Sequence, residues 1–226
     1  MTYRDKLINA LKNVDSDKMN RIKQVRSEAK SFGNNEDFLW RALLQSRATY
    51  QNSREISYKI RDDPLMKFSH LKTLNNSKRN KLVASKVRDY QFRFPKKATK
   101  TLLTNFKIIA ENWGDAVAAS SYARGLKNRT EKIDFALQFD HISNKYARNI
   151  WMDIADPHMD QAIPIDSRIQ KFIDKLGLKG NFQTLKGYLK LEGELLQIAS
   201  EAGLSGWEFD RLLWWDEKDG YFLNLT

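Results

Sequence analysis

Helical periodicity runs through almost the whole chain, and it limits the possible folds more than any other feature. Apolar residues recur at three- and four-residue spacing in most segments, and no alternating run typical of a strand exceeds a few residues. Only four prolines and ten glycines interrupt the 226 residues. One late segment shows the pattern clearly, with apolar side chains at Tyr188, Leu191, Leu195 and Ile198. The sequence therefore predicts an all-α fold, built as one domain or as two packed helical lobes.

Positive charge is concentrated in the first 200 residues. The chain has 39 lysines and arginines against 28 acidic residues, which gives a formal net charge of +11. Residues 201–226 hold six acids and two bases, so residues 1–200 carry a formal charge of +15. A segment with this much positive charge binds polyanions by releasing counterions, and the charge alone fits RNA as well as DNA.

The composition also excludes several classes of protein. The chain contains no cysteine, which rules out disulfides, thiolate-bound zinc and thiol nucleophiles. No stretch approaches the roughly 20 continuous apolar residues of a membrane span, and the N-terminus lacks the apolar core of a signal peptide. We expect a soluble, cytoplasmic protein with no membrane partner and no metal ion.

Lys145 and Asp166 carry the strongest chemical signal. Lys145 lies in the first turn of a predicted helix whose apolar stripe contains Tyr146, Ile150, Trp151 and Ile154. Asp166 follows the extended segment Ile163-Pro164-Ile165 and stands at the N-cap of a second helix, which Gly177 ends. An amine and a carboxylate at the starts of two successive helices suit the cleavage of an N-glycosidic bond. The amine can be the nucleophile and the carboxylate its electrostatic partner.

Each of these two residues also has an ordinary structural interpretation. A lysine in a helix is usually a solvated surface charge, and an aspartate at a helix start is usually only a cap. The order of the elements favours a catalytic role for both residues. A turn is followed by a helix that a lysine opens, then by a loop, and then by an apolar-Pro-apolar-Asp segment that opens the next helix.

These segments resemble the helix-hairpin-helix/Gly-Pro-Asp superfamily of DNA glycosylases. Phe139-Asp-His-Ile-Ser-Asn-Lys-Tyr-Ala147 lies on the family's hairpin pattern, Leu-Pro-Gly-apolar-Gly-x-Lys-x-Ala. Residues 163–169 lie on the family's apolar-Pro-apolar-Asp-x-x-apolar pattern. Residues 37–49 are similar to a helix that comes early in the sequence of these enzymes. The resemblance spans residues 36–178. It implies that Lys145 is the Schiff-base lysine and that Asp166 is the family's essential aspartate.

The resemblance further implies an all-α, two-lobed helical bundle with the active site between the lobes. Arg47 stands where the family often carries the residue that fills the gap left by an extruded base, although it fits a basic surface residue equally well. Asn149, one turn after Lys145, and Trp214 or Trp215 are expected at the base pocket, and the two tryptophans are also candidates for the core. The expected DNA contacts are Arg47, His141, Ser143, Asn144, Arg124, Lys127 and Arg129.

The chain departs from the family pattern at both hairpin glycines, which are replaced by His141 and Ser143. Glycine lets a backbone adopt positive φ or approach a phosphate closely, so the details of hairpin binding stay open. The absence of cysteine excludes the iron–sulfur cluster of one branch and places the chain nearer the clusterless 8-oxoguanine glycosylase/AP lyases. No cofactor is expected, although the resemblance leaves room for a monovalent cation at the hairpin.

We therefore expect a monomeric DNA glycosylase that excises a modified base from double-stranded DNA by base flipping, with AP lyase activity through Lys145. Two alternatives are a glycosylase that removes hypermodified bases from phage DNA and a non-catalytic DNA-binding relative. The replaced glycines favour the non-catalytic relative, whereas the presence of both Lys145 and Asp166 argues against it.

Three segments are expected along the chain. Residues 1–35 form N-terminal helices that pack on the second lobe, and residues 36–135 form a helical lobe with the wedge element, the part that carries Arg47 and fills the gap left by the extruded base. Residues 136–226 contain the hairpin, the helix that Asp166 opens and the C-terminal helices.

Overall fold

The computed structural model describes residues 1–48 and 54–225, and every regular element within them is a helix. This confirms the predicted all-α class. The described α-helices are α1 (Tyr3–Lys12), α2 (Ser16–Gly33), α3 (Phe38–Ala48), α4 (Arg54–Asp62), α5 (Phe68–Thr73), α6 (Asn76–Asp89), α7 (Pro95–Trp113), α8 (Ala116–Arg124), α9 (Arg129–Leu137), α10 (Asn144–Met152), α11 (Ser167–Lys175), α12 (Leu185–Glu201) and α13 (Gly206–Asp219). Short 3₁₀ turns cover Pro64–Met66 and Pro157–Met159. Within the described ranges, no helix is both long and apolar enough to cross a membrane.

The chain forms two compact units. The middle unit is Phe32–Ile150, and the terminal unit combines Met1–Ser31 with Trp151–Thr226. The division falls within α2 and within α10. The segment boundaries at residues 35 and 135 that the sequence suggests stay a prediction.

α3 is the central helix of the middle unit. Its buried apolar side chains are Phe38, Leu39, Trp40, Ala42, Leu43, Leu44 and Ala48. A helix with this many buried apolar side chains is stable only when other elements surround most of it. The indole N–H of Trp40 donates to the Met66 carbonyl at 2.7 Å, and the Trp40 ring meets the edge of Phe68 at 5.6 Å. The chain after α4 is thereby fixed against α3.

The core of the terminal unit follows the predicted stripe of α12, whose side chains Tyr188, Leu191, Leu195 and Ile198 are all buried. α13 opens with the capping box that Ser205 and Glu208 predict: the Ser205 N–H donates to Glu208 Oε2, and the Glu208 N–H donates to Ser205 Oγ. Trp207, in the first turn of α13, is fully buried. Its indole N–H donates to the Met152 carbonyl at 2.9 Å.

Two helices end in the same backbone motif. α11 ends as predicted at Gly177, whose φ of 68° lets the Leu178 N–H donate back to the Ile173 carbonyl. α10 ends in the same way, with Ala155 at φ 49°. The apolar stripe had suggested that this helix reaches Ile154. It ends at Met152 instead, because the left-handed residue turns the chain.

A buried carboxylate joins the start of the first 3₁₀ turn to α6. Asp63 caps that turn by accepting from the Leu65 N–H at 2.8 Å, as its place before Pro64 predicts. It also accepts from the Tyr90 hydroxyl at 3.0 Å and pairs with Lys86 at 2.8 Å. Burial opposes ionisation, but the hydrogen bonds from Lys86, Leu65 and Tyr90 outweigh it and hold the pKa of Asp63 below its usual value. Burial and the bond to Asp63 raise the pKa of Tyr90 to about 12.

We expect Asp63→Asn to lower the free energy of unfolding by about 2 kcal/mol, because it leaves Lys86 without its carboxylate. Tyr90→Phe removes one hydrogen bond and should cost about 1 kcal/mol. Urea denaturation at pH 7 measures both changes. Because the folded-state pKa of Asp63 is lowered, its contribution should be present above the unfolded pKa of about 3.9 and be lost as the pH falls through the folded value. Equal stability of wild type and Asp63→Asn at pH 7 would contradict this account.

Candidate active site

The turn before α10 is held by a buried amide. α9 ends at Leu137 and α10 begins at Asn144. Between them, the Asp140 N–H donates to Asn105 Oδ1 at 2.7 Å, and Asn105 Nδ2 donates to the Asp140 carbonyl at 3.3 Å. Asn105 is 1% exposed and lies on the buried face of α7. Sequence reasoning missed this residue, and its only signal was a polar side chain within an apolar stripe.

His141 occupies the first position where the family pattern has glycine, and its backbone is left-handed, with φ 61°. The turn therefore uses the conformation that glycine adopts most easily, and a histidine supplies it. The imidazole is exposed. Ser143, at the second glycine position, is exposed as well, and its carbonyl accepts from the Ala147 N–H at 2.8 Å in the first turn of α10.

Lys145 lies in the first turn of α10, as the sequence predicts. Its side chain is partly exposed, and the ammonium nitrogen is 4.9 Å from the centre of the Tyr146 ring. Asn149 is one turn further on and partly exposed, so it shares a helix face with Lys145. Asn144, the first residue of α10, accepts from the buried Arg148 guanidinium through its carbonyl at 3.0 Å.

A cavity of about 410 Å³ opens beside this turn. Three of the predicted DNA contacts, Arg47, His141 and Ser143, line it together. The remaining lining residues include Phe94, Lys97, Thr101, Asn105 and Tyr146. The cavity thus combines positive charge with aromatic surface, a composition that suits a nucleic acid.

Arg47 lies in the last turn of α3 and is only 9% exposed. It is therefore not an ordinary exposed surface residue, because most of its side chain is covered where it lines the cavity. Its role as the residue that fills the vacated base stack stays a prediction. Thr49, the last residue of the matching sequence pattern, lies outside the described residues.

Asp166 caps α11, as predicted, and also holds an arginine. Its Oδ1 accepts from the N–H groups of Arg168 and Ile169 at 2.9 and 3.1 Å. Its Oδ2 accepts from Nε and Nη2 of Arg168 at 2.9 and 2.5 Å. The carboxylate side chain is 8% exposed. Both oxygens therefore accept from donors that suit an ionised carboxylate. Sequence reasoning gave Arg168 no role.

The extended segment before Asp166 is fixed by two polar side chains of α12. The Tyr188 hydroxyl accepts from the Ile165 N–H at 2.8 Å and donates to the Ile163 carbonyl at 3.1 Å. Glu192 accepts from the Ile163 N–H at 2.9 Å. The sequence pattern correctly placed Tyr188 in the core but did not reveal what its hydroxyl binds.

The two adjacent tryptophans of α13 lie in different surroundings. The Trp214 ring is 5.6 Å from the guanidinium of Arg168, which binds Asp166. The Trp215 ring is 5.3 Å from the guanidinium of Arg21 on α2. Both are partly exposed. Of the two, Trp214 is the one near the predicted catalytic carboxylate.

In the basic cluster around the α8–α9 loop, Arg124 binds the protein itself. Nη2 of Arg124 donates to the carbonyls of Gly33 and Asn35 at 2.9 and 2.5 Å, and its guanidinium lies 4.8 Å from the Phe38 ring. Burial lowers the pKa of Arg124. Lys127 is exposed and Arg129 opens α9. All three stay predicted DNA contacts.

No group of three or more His, Asp or Glu side chains that could hold a metal ion occurs in the described ranges. A monovalent cation at the turn before α10 stays a prediction.

No protein-family model matches this sequence, and no curated protein matches it significantly. Solved structures do match. The 8-oxoguanine DNA glycosylase of Methanocaldococcus jannaschii is 19% identical with a TM-score of 0.75, over 95% of this chain and 94% of that one. The glycosylase/lyase of that organism in complex with a 15mer DNA containing 8-oxoguanine is also 19% identical, with a TM-score of 0.72 over 95% and 96%. The 8-oxoguanine DNA glycosylase of Thermotoga maritima is 20% identical, with a TM-score of 0.74 over 95% and 97%. These likenesses confirm the predicted fold.

The backbone of His141 gives a direct test of the turn before α10. His141→Gly should raise the free energy of unfolding by up to about 1 kcal/mol. Glycine avoids the roughly 1–2 kcal/mol cost of the left-handed conformation, but part of this gain is lost because glycine gives the unfolded chain more conformational entropy. His141→Ala is the matched control, since it removes the imidazole and keeps the backbone cost. Urea denaturation compares the two variants. If they are equally stable, the left-handed conformation carries no cost here.

Proposed function

We propose that this chain is a DNA glycosylase that extrudes and excises a modified base and then cleaves the strand through a lysine Schiff base. The observation that carries the proposal is the likeness to 8-oxoguanine DNA glycosylases over 95% of the chain. Lys145 and Asp166 support it, because both stand at the helix starts where the resemblance requires them.

Asp166 supplies negative charge in this proposal. Positive charge develops on the deoxyribose as the bond to the base lengthens, and a fixed carboxylate stabilises it. The α11 backbone holds one oxygen of Asp166 and Arg168 holds the other, so the carboxylate needs little reorganisation during the reaction.

Lys145 supplies the nucleophile. Its neutral amine attacks C1′, and the bond between C1′ and the base breaks with its electron pair leaving on the base, which takes up a proton. The nitrogen gives up one proton, and the bond between C1′ and O4′ then breaks. Its electron pair moves to O4′, which takes up a proton, while the nitrogen lone pair forms the C1′=N bond of the protonated Schiff base. Removal of a C2′ proton then breaks the bond between C3′ and its oxygen, and the 3′ strand leaves.

The remaining residues are proposed to hold DNA. Arg47 and the exposed residues His141 and Ser143 border one cavity, which supports a contact with the DNA strand there. We assign base stacking to Trp214 rather than Trp215, because Trp214 lies beside Arg168. The formal charge of +15 on residues 1–200 supports binding of the duplex.

A Schiff base can be trapped, and this tests the chemistry. We expect borohydride to link the wild type covalently to a duplex that contains its substrate base. That base is sought in a panel of duplexes that each carry one modified base, beginning with 8-oxoguanine. Lys145→Gln should form no link while still binding DNA. Asp166→Asn should bind DNA but lose at least about 100-fold in the excision rate, because it keeps the cap and removes the charge. Denaturing gels of trapped and cleaved strands provide the measurement.

Two variants control for charge and capping. Asp115→Asn makes the same change at the N-cap of α8, where the carboxylate accepts from the Ala118 N–H at 2.9 Å. Lys107→Gln removes an exposed lysine from α7. Both should keep normal excision. If Lys145→Gln excises the base and leaves an intact abasic site, the enzyme uses water and lacks lyase activity. If Asp166→Asn is fully active on every substrate, the proposed site is wrong.

DNA affinity should fall by roughly 0.9 log unit per log unit of salt for each phosphate that the protein neutralises. Lys127→Gln combined with Arg129→Gln should reduce that slope by about 1–2, since the variant neutralises fewer phosphates and so releases fewer counterions on binding. Arg124 is left intact because it binds the end of α2. Fluorescence anisotropy between low and moderate salt measures the slope. The charge-preserving pair Lys127→Arg with Arg129→Lys should leave it unchanged, and an unchanged slope in the glutamine variant would remove these bases from the DNA interface.

A further inference from the structure

A second carboxylate lies in the interior of the terminal unit. Asp210 on α13 is 1% exposed, and α13 packs against α11, which Asp166 caps. Oδ2 of Asp210 accepts from Arg211 at 3.1 Å. Its Oδ1 is buried without a hydrogen-bond partner among the described residues. A buried carboxylate with one unpaired oxygen costs stability, so its presence calls for a role.

The neighbours of Asp210 connect it to Asp166. Trp214 stands one helical turn after Asp210 on the same face of α13, and its ring rests against Arg168, which holds Asp166. Arg211 pairs with Asp210 and also with Asp153, at 2.9 Å. The charged groups around Asp210 are therefore Arg211 on its own helix, Arg168 and Asp166 at the start of α11, and Asp153 after α10.

We propose that Asp210 is a positioning residue for Asp166. The ionised carboxylate of Asp210 shares the positive charge of Arg168, and this leaves Asp166 more negative toward the sugar. With all five groups ionised, three carboxylates face two guanidinium groups, and the cluster carries one net negative charge. Protonation of Asp210 makes the cluster neutral. This inference rests on the proposed function of Asp166.

Asp210 changes its protonation state within a pH range in which experiments can be done. Burial raises the pKa of Asp210 to about 6; Arg211 and Arg168 lower it, while Asp166 and Asp153 raise it. Above this value Asp210 adds negative charge near Asp166, and below it that charge is lost.

The first experiment uses the protein without DNA. ¹³C NMR of labelled aspartate carboxyl carbons should show one group that titrates near pH 6, and its resonance should disappear in Asp210→Asn. In Asp166→Asn the midpoint of that group should fall, because a neighbouring negative charge is removed. An unmoved midpoint would overturn the coupling. This arm depends neither on the excision of any base nor on the activity of Asp210→Asn.

The second experiment measures single-turnover excision of the preferred base from pH 5 to pH 8. The ratio of wild-type to Asp210→Asn rates should fall from about tenfold at pH 8 to about one at pH 5, since a charge removed nearby in a medium of effective dielectric constant about 20 has an effect of this order. The ratio cancels pH effects common to both proteins. Asp174→Asn, an exposed change at the far end of α11, should match the wild type within twofold at every pH.

A ratio that is large but independent of pH would give Asp210 a purely structural role and overturn the inference. Failure of the wild type to excise any base would instead overturn the proposed function, and the NMR titration would still decide whether Asp210 and Asp166 are coupled.

Discussion

The carboxylate of Asp166 is held from two sides, and the candidate chemistry depends on that. One oxygen completes the first turn of α11, and the other receives the guanidinium of Arg168. A cap alone would be worth about 1 kcal/mol to the helix and would leave the second oxygen to water. Structural and chemical interpretations of Asp166 are therefore compatible, because the bonds that stabilise the helix also fix the direction of the charge.

Both candidate catalytic residues depend on polar side chains that hold irregular backbone. Tyr188 and Glu192 bind the extended segment before Asp166, and Asn105 binds the turn before Lys145. Each of these three side chains lies on the buried face of a long helix. The regular elements thus supply rigid support, and the short segments between them receive their shape from single amide, hydroxyl and carboxylate groups.

The sequence predicted what depends on local physics. Helical spacing, the caps Asp63 and Asp166 and the stop at Gly177 all follow from residues within a few positions of one another. The roles of Tyr188 and Asn105 depend on backbone partners 23–35 residues away, and a polar residue in an apolar stripe does not identify its partner. The end of α10 was missed for another reason, because alanine rarely adopts the left-handed conformation that Ala155 has.

His141 has a consequence for how such turns are recognised. A sequence pattern that requires glycine at the first hairpin position excludes this chain, although the backbone there has the left-handed geometry that glycine usually provides. Histidine, asparagine and aspartate also enter that region more readily than other side chains. A description written in backbone conformations would treat the residue as a permitted substitution. Divergent members of a fold can therefore share a turn geometry after the residue that usually marks it has been replaced.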